Sequence, residues 1–381
     1  FPSIAVGWTF SDEKFMKPFY WLSFGKIRAS WGVSGQKFSQ RYLSQGLLSA
    51  NGTTFHGDIA MFPDIRGGVI NKKLSWEETN QYDLGFDLSF LDYRLRLVID
   101  YYYRYTKGQL NQISLPGDIY YHQFQWQNGM AISNQGLELE LEADILRHTA
   151  VKWKMKFNAS RNWNRFEKSA DGFDFMEQVI GKPLHQIKVF KTDGFYNSLD
   201  EVPVYYLANK EVQPLYSGIT AGIYLPGSRR LVDLNGDGRI TEDADVYFAE
   251  SPLPLAHGGF INQLRWKNFD LNIFFNYSLG RHIVKVYDDV SMTANGSEKP
   301  LFVDVNDVKI WTEAGSKADY PKSQVYAYLM NQTSGRYDCD IESVSFLRLK
   351  QLTLGYNVGE RVLNKLKISG ARIFVTGENL F

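Results

Sequence analysis

The stretch YDLGFDLSF (82–90), followed directly by LDYRLRLVIDYYYRYT (91–106), decides the fold. Side chains along a strand point alternately to its two faces. Tyr82, Leu84, Phe86, Leu88 and Phe90 therefore share one face, and Asp83, Gly85, Asp87 and Ser89 share the other. The second arm repeats the pattern, with Tyr93, Leu95, Leu97, Ile99, Tyr101, Tyr103 and Tyr105 opposing Arg94, Arg96, Asp100, Tyr102, Arg104 and Thr106. Two long strands joined by a very short turn are expected. Roughly a dozen residues at about 3.3 Å each span about 40 Å, long for a soluble sheet and suited to a tilted bilayer crossing.

Working outward, Pro2, Ile4, Val6, Trp8 and Phe10 alternate with small or polar residues and predict a first strand. FGKIRASWGVSG (24–35) predicts a second, setting Ile27, Ala29, Trp31 and Val33 against Lys26, Arg28, Ser30 and Gly32. From Gln36 to about Ile70 the chain is polar and aperiodic, which predicts a long loop. Residues 107–130 predict another, centred on IYYHQFQWQN (119–128). NQGLELELEADIL (134–146) and VKWKMKFNAS (151–160) then put an acidic row and a basic row on the same side of adjacent strands, where cross-strand charge pairs are favourable. After an excursion from about Asn164 to Ala256, GGFINQLRW (258–266) and FDLNIFFNYSLG (269–280) resume the alternation around a turn at Lys267 and Asn268. Residues 281–340 are expected to be loop-like and partly helical. SFLRLKQLTLGYNV (345–358) and KISGARIFVTG (367–377) supply the last strands.

Turns near 91–93, 147–150 and 267–268 are a few residues long, whereas the connections at 36–70, 107–130, 164–256 and 281–340 are many times longer. Short turns at one rim and long loops at the other are the layout of outer-membrane barrels. Alternate charged residues are also what the solvated face of a half-buried soluble sheet shows. Strand length and the aromatic content, 15% with 23 Tyr and 26 Phe, favour a wet lumen bounded by interfacial aromatic girdles. No run approaches the ~18 apolar residues of a helical span, and a mean hydropathy of −0.31 is compatible with strands of which only alternate residues face lipid. Lys plus Arg equal Asp plus Glu at 42 each, so charge does not point to nucleic acid. Cys339 is the only cysteine, which excludes an internal disulfide framework. The opening FPSIAVGW lacks the basic and apolar segments of a signal peptide, so an exported protein would begin upstream of it.

Taken together, several segments resemble the SusC/RagA family of TonB-dependent outer-membrane transporters. They are FPSIAVGW (1–8), LSFGKIRASWGVSGQ (22–36), the run from LSWEETN to YTKGQL (74–110), ISNQGLELELEA (132–143), KTDGFYNSLDEV (191–202), PGSRRLVDLNGDGRITEDAD (226–245), IWTEAGSKADYP (310–321), SFLRLKQLTLGY (345–356) and ARIFVTGENLF (371–381). They follow the family's order and span nearly the whole chain. The resemblance implies an all-β fold, an antiparallel transmembrane β-barrel of 22 strands with long extracellular loops. Residues 1–381 would supply its C-terminal half, with 164–256 as a long extracellular loop region. The plug, the TonB box, the first strands and a final strand or two would lie outside this chain. About ten to twelve strands are visible; the open edges of such a half would leave backbone groups unpaired in lipid at several kcal/mol each, so the rest of the barrel is expected as another segment. The resemblance further implies a location in the outer membrane of a Gram-negative, Bacteroidetes-like cell. It implies active import of oligosaccharides, other glycans or oligopeptides, with a SusD-like surface lipoprotein and TonB as partners.

The sharpest local motif is Asp233-Leu-Asn235-Gly-Asp237-Gly-Arg239-Ile-Thr241, the first nine positions of an EF-hand-type calcium loop. Side-chain oxygens of Asp233, Asn235 and Asp237 and the Arg239 carbonyl suit a hard cation. Position twelve is Ala244, where the pattern wants a bidentate carboxylate, and Asp243 or Asp245 could substitute if the loop is one residue off register. A hydrogen-bonded Asx and glycine turn accounts for the same residues without metal. A bound calcium ion would be structural, and no other cofactor is required. Tyr120, Tyr121, His122 and Trp126 are candidates for stacking on a substrate, with loop packing as the alternative. Arg94, Arg96 and Arg104 are candidates for a lumen path, with pairing to carboxylates as theirs.

Enzymatic motifs are missing. Glu138, Glu140 and Glu142 face lysines, which suits charge pairing better than an acid and nucleophile couple. The sequence has no HExxH, GxSxG or P-loop. The expected function is therefore TonB-dependent import without catalysis. A non-transporting surface adhesin or binding barrel is the alternative, and a secreted glycan-active enzyme on a β-sheet is a third reading.

Overall fold

Each alternating segment forms a strand that pairs with the next one in sequence. They are Ser3–Trp8 (β1), Leu22–Gln36 (β2), Glu77–Phe90 (β3), Leu95–Ser114 (β4), Phe124–Leu146 (β5), Val151–Lys168 (β6), Ala256–Trp266 (β7), Phe269–Leu279 (β8), Phe346–Asn357 (β9) and Arg372–Glu378 (β10). The computed structural model describes residues 1–37, 44, 48–63, 69–115, 124–174, 178–202, 204–206, 212–214, 224–238, 240–284, 309–319 and 337–380. The ten strands make one open sheet in chain order, edged by β1 and β10, and every neighbouring pair is antiparallel.

Register shows why the sheet has two unlike faces. Phe86 lies opposite Ile99, Ile99 opposite Leu139, Leu141 opposite Phe157, Phe157 opposite Phe260, and Phe260 opposite Phe275. With a side-chain period of two, this carries one apolar face across β3 to β8 and sends the charged rows to the other. The apolar face is bare. Leu84 is 40% exposed, Leu354 53%, Ile4 62% and Val375 74%. Among the described strand residues of the sheet, the buried hydrophobic ones are Ala131, Ala143, Phe166 and Leu349. A Leu or Ile side chain moved fully out of water contributes about 1.5–3 kcal/mol, so this face recovers its hydrophobic free energy only against hydrocarbon or another layer.

Aromatic rings recur along that face, among aliphatic residues that include Leu88, Leu97 and Leu141. Toward the short turns, Trp21 stacks on Phe90 at 5.8 Å and Phe269 meets Tyr356 at 4.9 Å. Toward the long connections Tyr82 approaches Tyr103 at 6.4 Å, and between the two ends Phe157, opposite Leu141, stacks on Tyr277 at 6.0 Å. The short turns are themselves specialised. Leu91, Asp92 and Tyr93 between β3 and β4 all have positive φ (52°, 54° and 59°), and Lys267 between β7 and β8 has φ 51°. The first turn is tied down by Leu91 N–H donating to Trp21 O at 3.0 Å and Arg147 Nη1 donating to Asp92 O at 2.9 Å.

Three sequence expectations change. The 36–70 loop contains a hairpin, Leu48–Phe55 with Asp58–Pro63. The 107–130 loop is largely strand: β4 runs to Ser114 and β5 starts at Phe124, with register shifts around Gln109. Polar residues occupy both sides there, so hydrophobic alternation disappears while backbone pairing continues. Most of the 281–340 region expected to be loop-like and partly helical, 285–308 and 320–336, lies outside the described residues; among the described ones a 3-10 turn forms at Asp338–Asp340, and an α-helix, Glu360–Leu366 (α1), lies between β9 and β10. That helix shortens the last expected strand, which begins at Arg372.

Residues 185–253 and 281–344 form a second compact unit. It is built of short ribbons, Lys188–Phe190 with Val246–Phe248, Thr192–Phe195 with Arg229–Leu231, Val204–Tyr206 with Val212–Pro214, and His282–Val284 with Ile341–Ser343. Its core gathers Phe190, Tyr196, Val202, Tyr224, Leu231 and Ile240.

Candidate functional site

The charged face of the sheet is laced by pairs that reach over an intervening strand. Arg28 on β2 donates from Nε to Asp87 Oδ2 on β3 at 2.8 Å and from Nη2 to Asp100 Oδ1 on β4 at 2.9 Å. Gly85 stands between Arg28 and Asp100 in the register. A Cβ there would lie 2.4 Å from Asp100 Oδ1 and 2.7 Å from Arg28 Nη2, so the bare position is what lets the two meet. The device recurs twice. Tyr102 on β4 donates across Gly136 to Asn162 Oδ1 on β6 at 2.6 Å. Arg372 on β10 pairs with Asp270 on β8 over Gly355, its Nε at 3.2 Å from Oδ1.

Glu142 takes both Lys156 Nζ, at 2.8 Å, and Lys154 Nζ, but the expected facing of all three glutamates with lysines is corrected by the register, which sets Glu138 opposite Ser160 and Glu140 opposite Asn158, so the two rows meet only toward the short turn. Beside them, Lys152, Arg265, Asp270, Asn272 and Arg372 line an open hollow of about 630 Å³. This surface can hydrogen-bond and charge-match a polar solute. Asp87, Asp100, Glu142 and Asp270 are engaged with cations, an arrangement that balances their charge.

The predicted contact residues separate. Arg96 lies on the charged face, in register with Ser89 and Glu142. Arg94 is instead a turn residue that donates from Nε to Asp144 O at 2.8 Å and from Nη2 to Ile145 O at 2.6 Å, a strand-tying role. Arg104 places its guanidinium 5.4 Å from the Tyr102 ring centroid. Trp126 is part of β5, opposite Gln112, and its carbonyl accepts from Asn71 Nδ2 at 2.9 Å. Tyr120, Tyr121 and His122 lie outside the described residues.

In the second unit the calcium-loop motif folds on itself. Asp233 accepts from Gly236 N at 2.7 Å through Oδ1 and from Gly238 N at 2.7 Å through Oδ2. Asn235 Oδ1 accepts from Asp237 N at 3.1 Å, and Asn235 Nδ2 donates to Asp237 Oδ2 at 3.0 Å. Asp245 is fully buried and closes the loop, accepting from Leu234 N at 2.9 Å and Thr241 N at 2.7 Å. Arg239 lies outside the described residues. Burial raises the Asp233 pKa, but the N–H groups of Gly238, Gly236 and Asp237 outweigh it and hold the carboxyl below its usual range. Among the described residues no three His, Cys, Asp or Glu side chains are grouped so as to hold a metal. The oxygens match a hard cation in kind, and in this geometry both carboxylates serve the loop backbone.

Sequence reasoning missed the Arg28, Asp100 and Gly85 constellation and the Asp270–Arg372 pair, whose members are 102 residues apart. A glycine amid an otherwise regular alternation was the available signal. In the second unit, Arg229 donates to Asp340 Oδ1 at 3.3 Å and lies 5.5 Å from both the Phe195 and Tyr337 ring centroids.

Comparison with known proteins adds the following. A family profile described as TonB dependent receptor-like, beta-barrel, matches residues 1–296. The TonB-dependent receptor P3 of Formosa agariphila is 30% identical over 395 residues, an alignment covering 100% of this chain and 37% of the relative. TonB-dependent receptor SusC of Bacteroides thetaiotaomicron is 27% identical over 386 residues, covering 100% of this chain and 36% of SusC. The chain thus spans a little over a third of these relatives. Among solved structures, the RagAB peptide importer in its open-open state superposes with a TM-score of 0.71 at 21% identity, covering 100% of this chain and 38% of that one.

Proposed function

Because this chain belongs to the TonB-dependent receptor-like β-barrel family, we propose that it forms part of the wall of an outer-membrane importer, its apolar face against lipid and its charged face lining the lumen. The observation that carries this reading is the ten-strand antiparallel sheet with one continuous bare apolar face and one charge-paired face. The strands of such a sheet cross lipid stably only when both edges are paired, which calls for further strands beside β1 and β10. The remaining barrel, a plug and TonB are the partners this reading requires. A SusD-like surface lipoprotein joins them, supported by similarity to SusC and to RagAB. The cargo is an oligosaccharide or an oligopeptide, and the fold likeness to a peptide importer supports the second.

The lumen needs no covalent chemistry. It supplies polar contacts along a path, with energy delivered from outside the chain. Calcium in the Asp233 to Asp245 loop is part of the proposal as a structural ion. Chelation should leave the sheet intact and loosen that loop, and calcium-independent hydrogen exchange of residues 226–245 would rule the ion out.

The test is uptake by whole cells expressing the full-length protein. Cargo accumulation should depend on TonB and on outer-membrane fractionation of the receptor. Uptake unchanged without TonB would refute energised import. Surface binding without uptake in either strain would favour the adhesin.

A further inference from the structure

We propose that Arg161 and Arg165, on the outward face of β6 at its long-connection end, bind the phosphate of an outer-leaflet lipid headgroup. The inference rests on the membrane orientation given above. Along β6 the outward row runs Trp153, Met155, Phe157 and Ala159, then changes to Arg161, Trp163 and Arg165. The register sets Arg161 beside Leu137 and Tyr101, Trp163 beside Gln135 and Tyr103, and Arg165 beside Ser133 and Tyr105. The two arginines therefore stand level with the tyrosine band, where hydrocarbon gives way to headgroups.

Charge on the outward rows of β1 to β8 is confined to this end: Glu78, Lys107, Arg161, Arg165 and Glu167, with Lys168 opposite Ala131 where the register shifts. Glu78 and Lys107 pair at 2.8 Å. Arg161 has no carboxylate partner among the described residues, and its guanidinium lies 4.8 Å from the Trp163 ring centroid. Arg165 donates from Nε to Gly181 O at 3.0 Å, and its contact with Glu167 is long, at 4.0 Å, with the arginine side chain 58% exposed. With no carboxylate beside Arg161 among the described residues and only the long contact to Glu167 at Arg165, the pair keeps positive charge at this depth that an anion in the bilayer surface would balance, and the guanidinium fork matches phosphate oxygens. Trp163, 36% exposed between the two, is placed to pack on the first acyl carbons. The arginine stems reach along the apolar surface while the heads stay at the interface.

The full-length receptor would be reconstituted in phosphatidylcholine nanodiscs containing either diphosphoryl lipid A or the same lipid with its phosphates removed, and retained lipid read by native mass spectrometry. Retention of the phosphorylated form should exceed that of the dephosphorylated form at least tenfold. The double variant Arg161→Gln and Arg165→Gln should abolish the difference, whereas Arg161→Lys with Arg165→Lys should keep most of it and shows that the site tolerates substitution. Equal retention of the two lipids by the unaltered protein, or an undiminished preference in the glutamine variant, would overturn the assignment. If the receptor fails to fractionate with outer membranes, the membrane reading itself falls. If it fractionates normally and shows no phosphate preference, the lipid site alone falls.

Discussion

Gly85 shows how much a single missing side chain can organise. Its bare backbone lets Arg28, Asp87 and Asp100 join three strands, and a Cβ would sit 2.4 Å from the Asp100 carboxylate. Gly85→Ala should cost about 1–3 kcal/mol by overpacking, read as a lower midpoint in thermal gel-shift assays of the folded barrel. In an Arg28→Ala background the same change should cost less, because the crowded guanidinium is gone; equal losses in both would sink the bridging role. Asp233 belongs to the same scale. Its carboxyl is held below the usual range, so the ionised form favours the folded loop. That stability is present above the ordinary carboxylate pKa of about 3.9 and is lost as the pH falls through the lower folded value. Hydrogen exchange of residues 226–245 should accelerate in acid, and Asp233→Asn should remove most of that pH dependence.

At the scale of the strand, neighbours have opposite tolerances. Leu97 points to the apolar face opposite Leu88 and Leu141, while Val98 points to the charged face opposite Asp87 and Glu140. Leu97→Arg should destabilise the inserted barrel by up to about 2–4 kcal/mol, the cost of a cation on the lipid face, which is greatest at the midplane. Val98→Arg should be near neutral, since carboxylates flank it. Urea midpoints of the two variants in detergent-free bilayers check this, and similar losses would mean the faces are assigned wrongly. The Glu142 bridge offers a second comparison. Glu142→Gln leaves Lys154 and Lys156 without their shared anion, and a loss of about 1 kcal/mol or less is expected because the partners are partly solvated.

For the whole molecule, the two compact units obey different physics. The sheet buries few apolar side chains and leaves its hydrophobic face for hydrocarbon, whereas the unit formed by 185–253 and 281–344 gathers its own core around Tyr196 and Phe190. The sheet should therefore unfold when lipid is withdrawn, while the second unit keeps its protection. Hydrogen exchange in a lipid-depleted detergent would test this, and simultaneous loss in both units would contradict it.

Sequence by itself determined the sheet: the period-two alternation of Leu84, Phe86, Leu97 and Ile99, the alternating acidic and basic rows, and the contrast between short turns and long connections are local signals, whereas which glutamate meets a lysine was set by the register, Glu142 alone facing Lys156. The sequence also marked the family, through ordered segments along the chain. Tertiary structure alone decided the rest. The continuation of β4 and β5 through residues 107–130, the removal of Arg94 to a turn, and the meeting of Asp270 with Arg372 over Gly355 depend on which strands become neighbours. Cross-strand partners are chosen by backbone hydrogen bonding over long separations, and where both faces are polar no hydrophobic period remains to announce them.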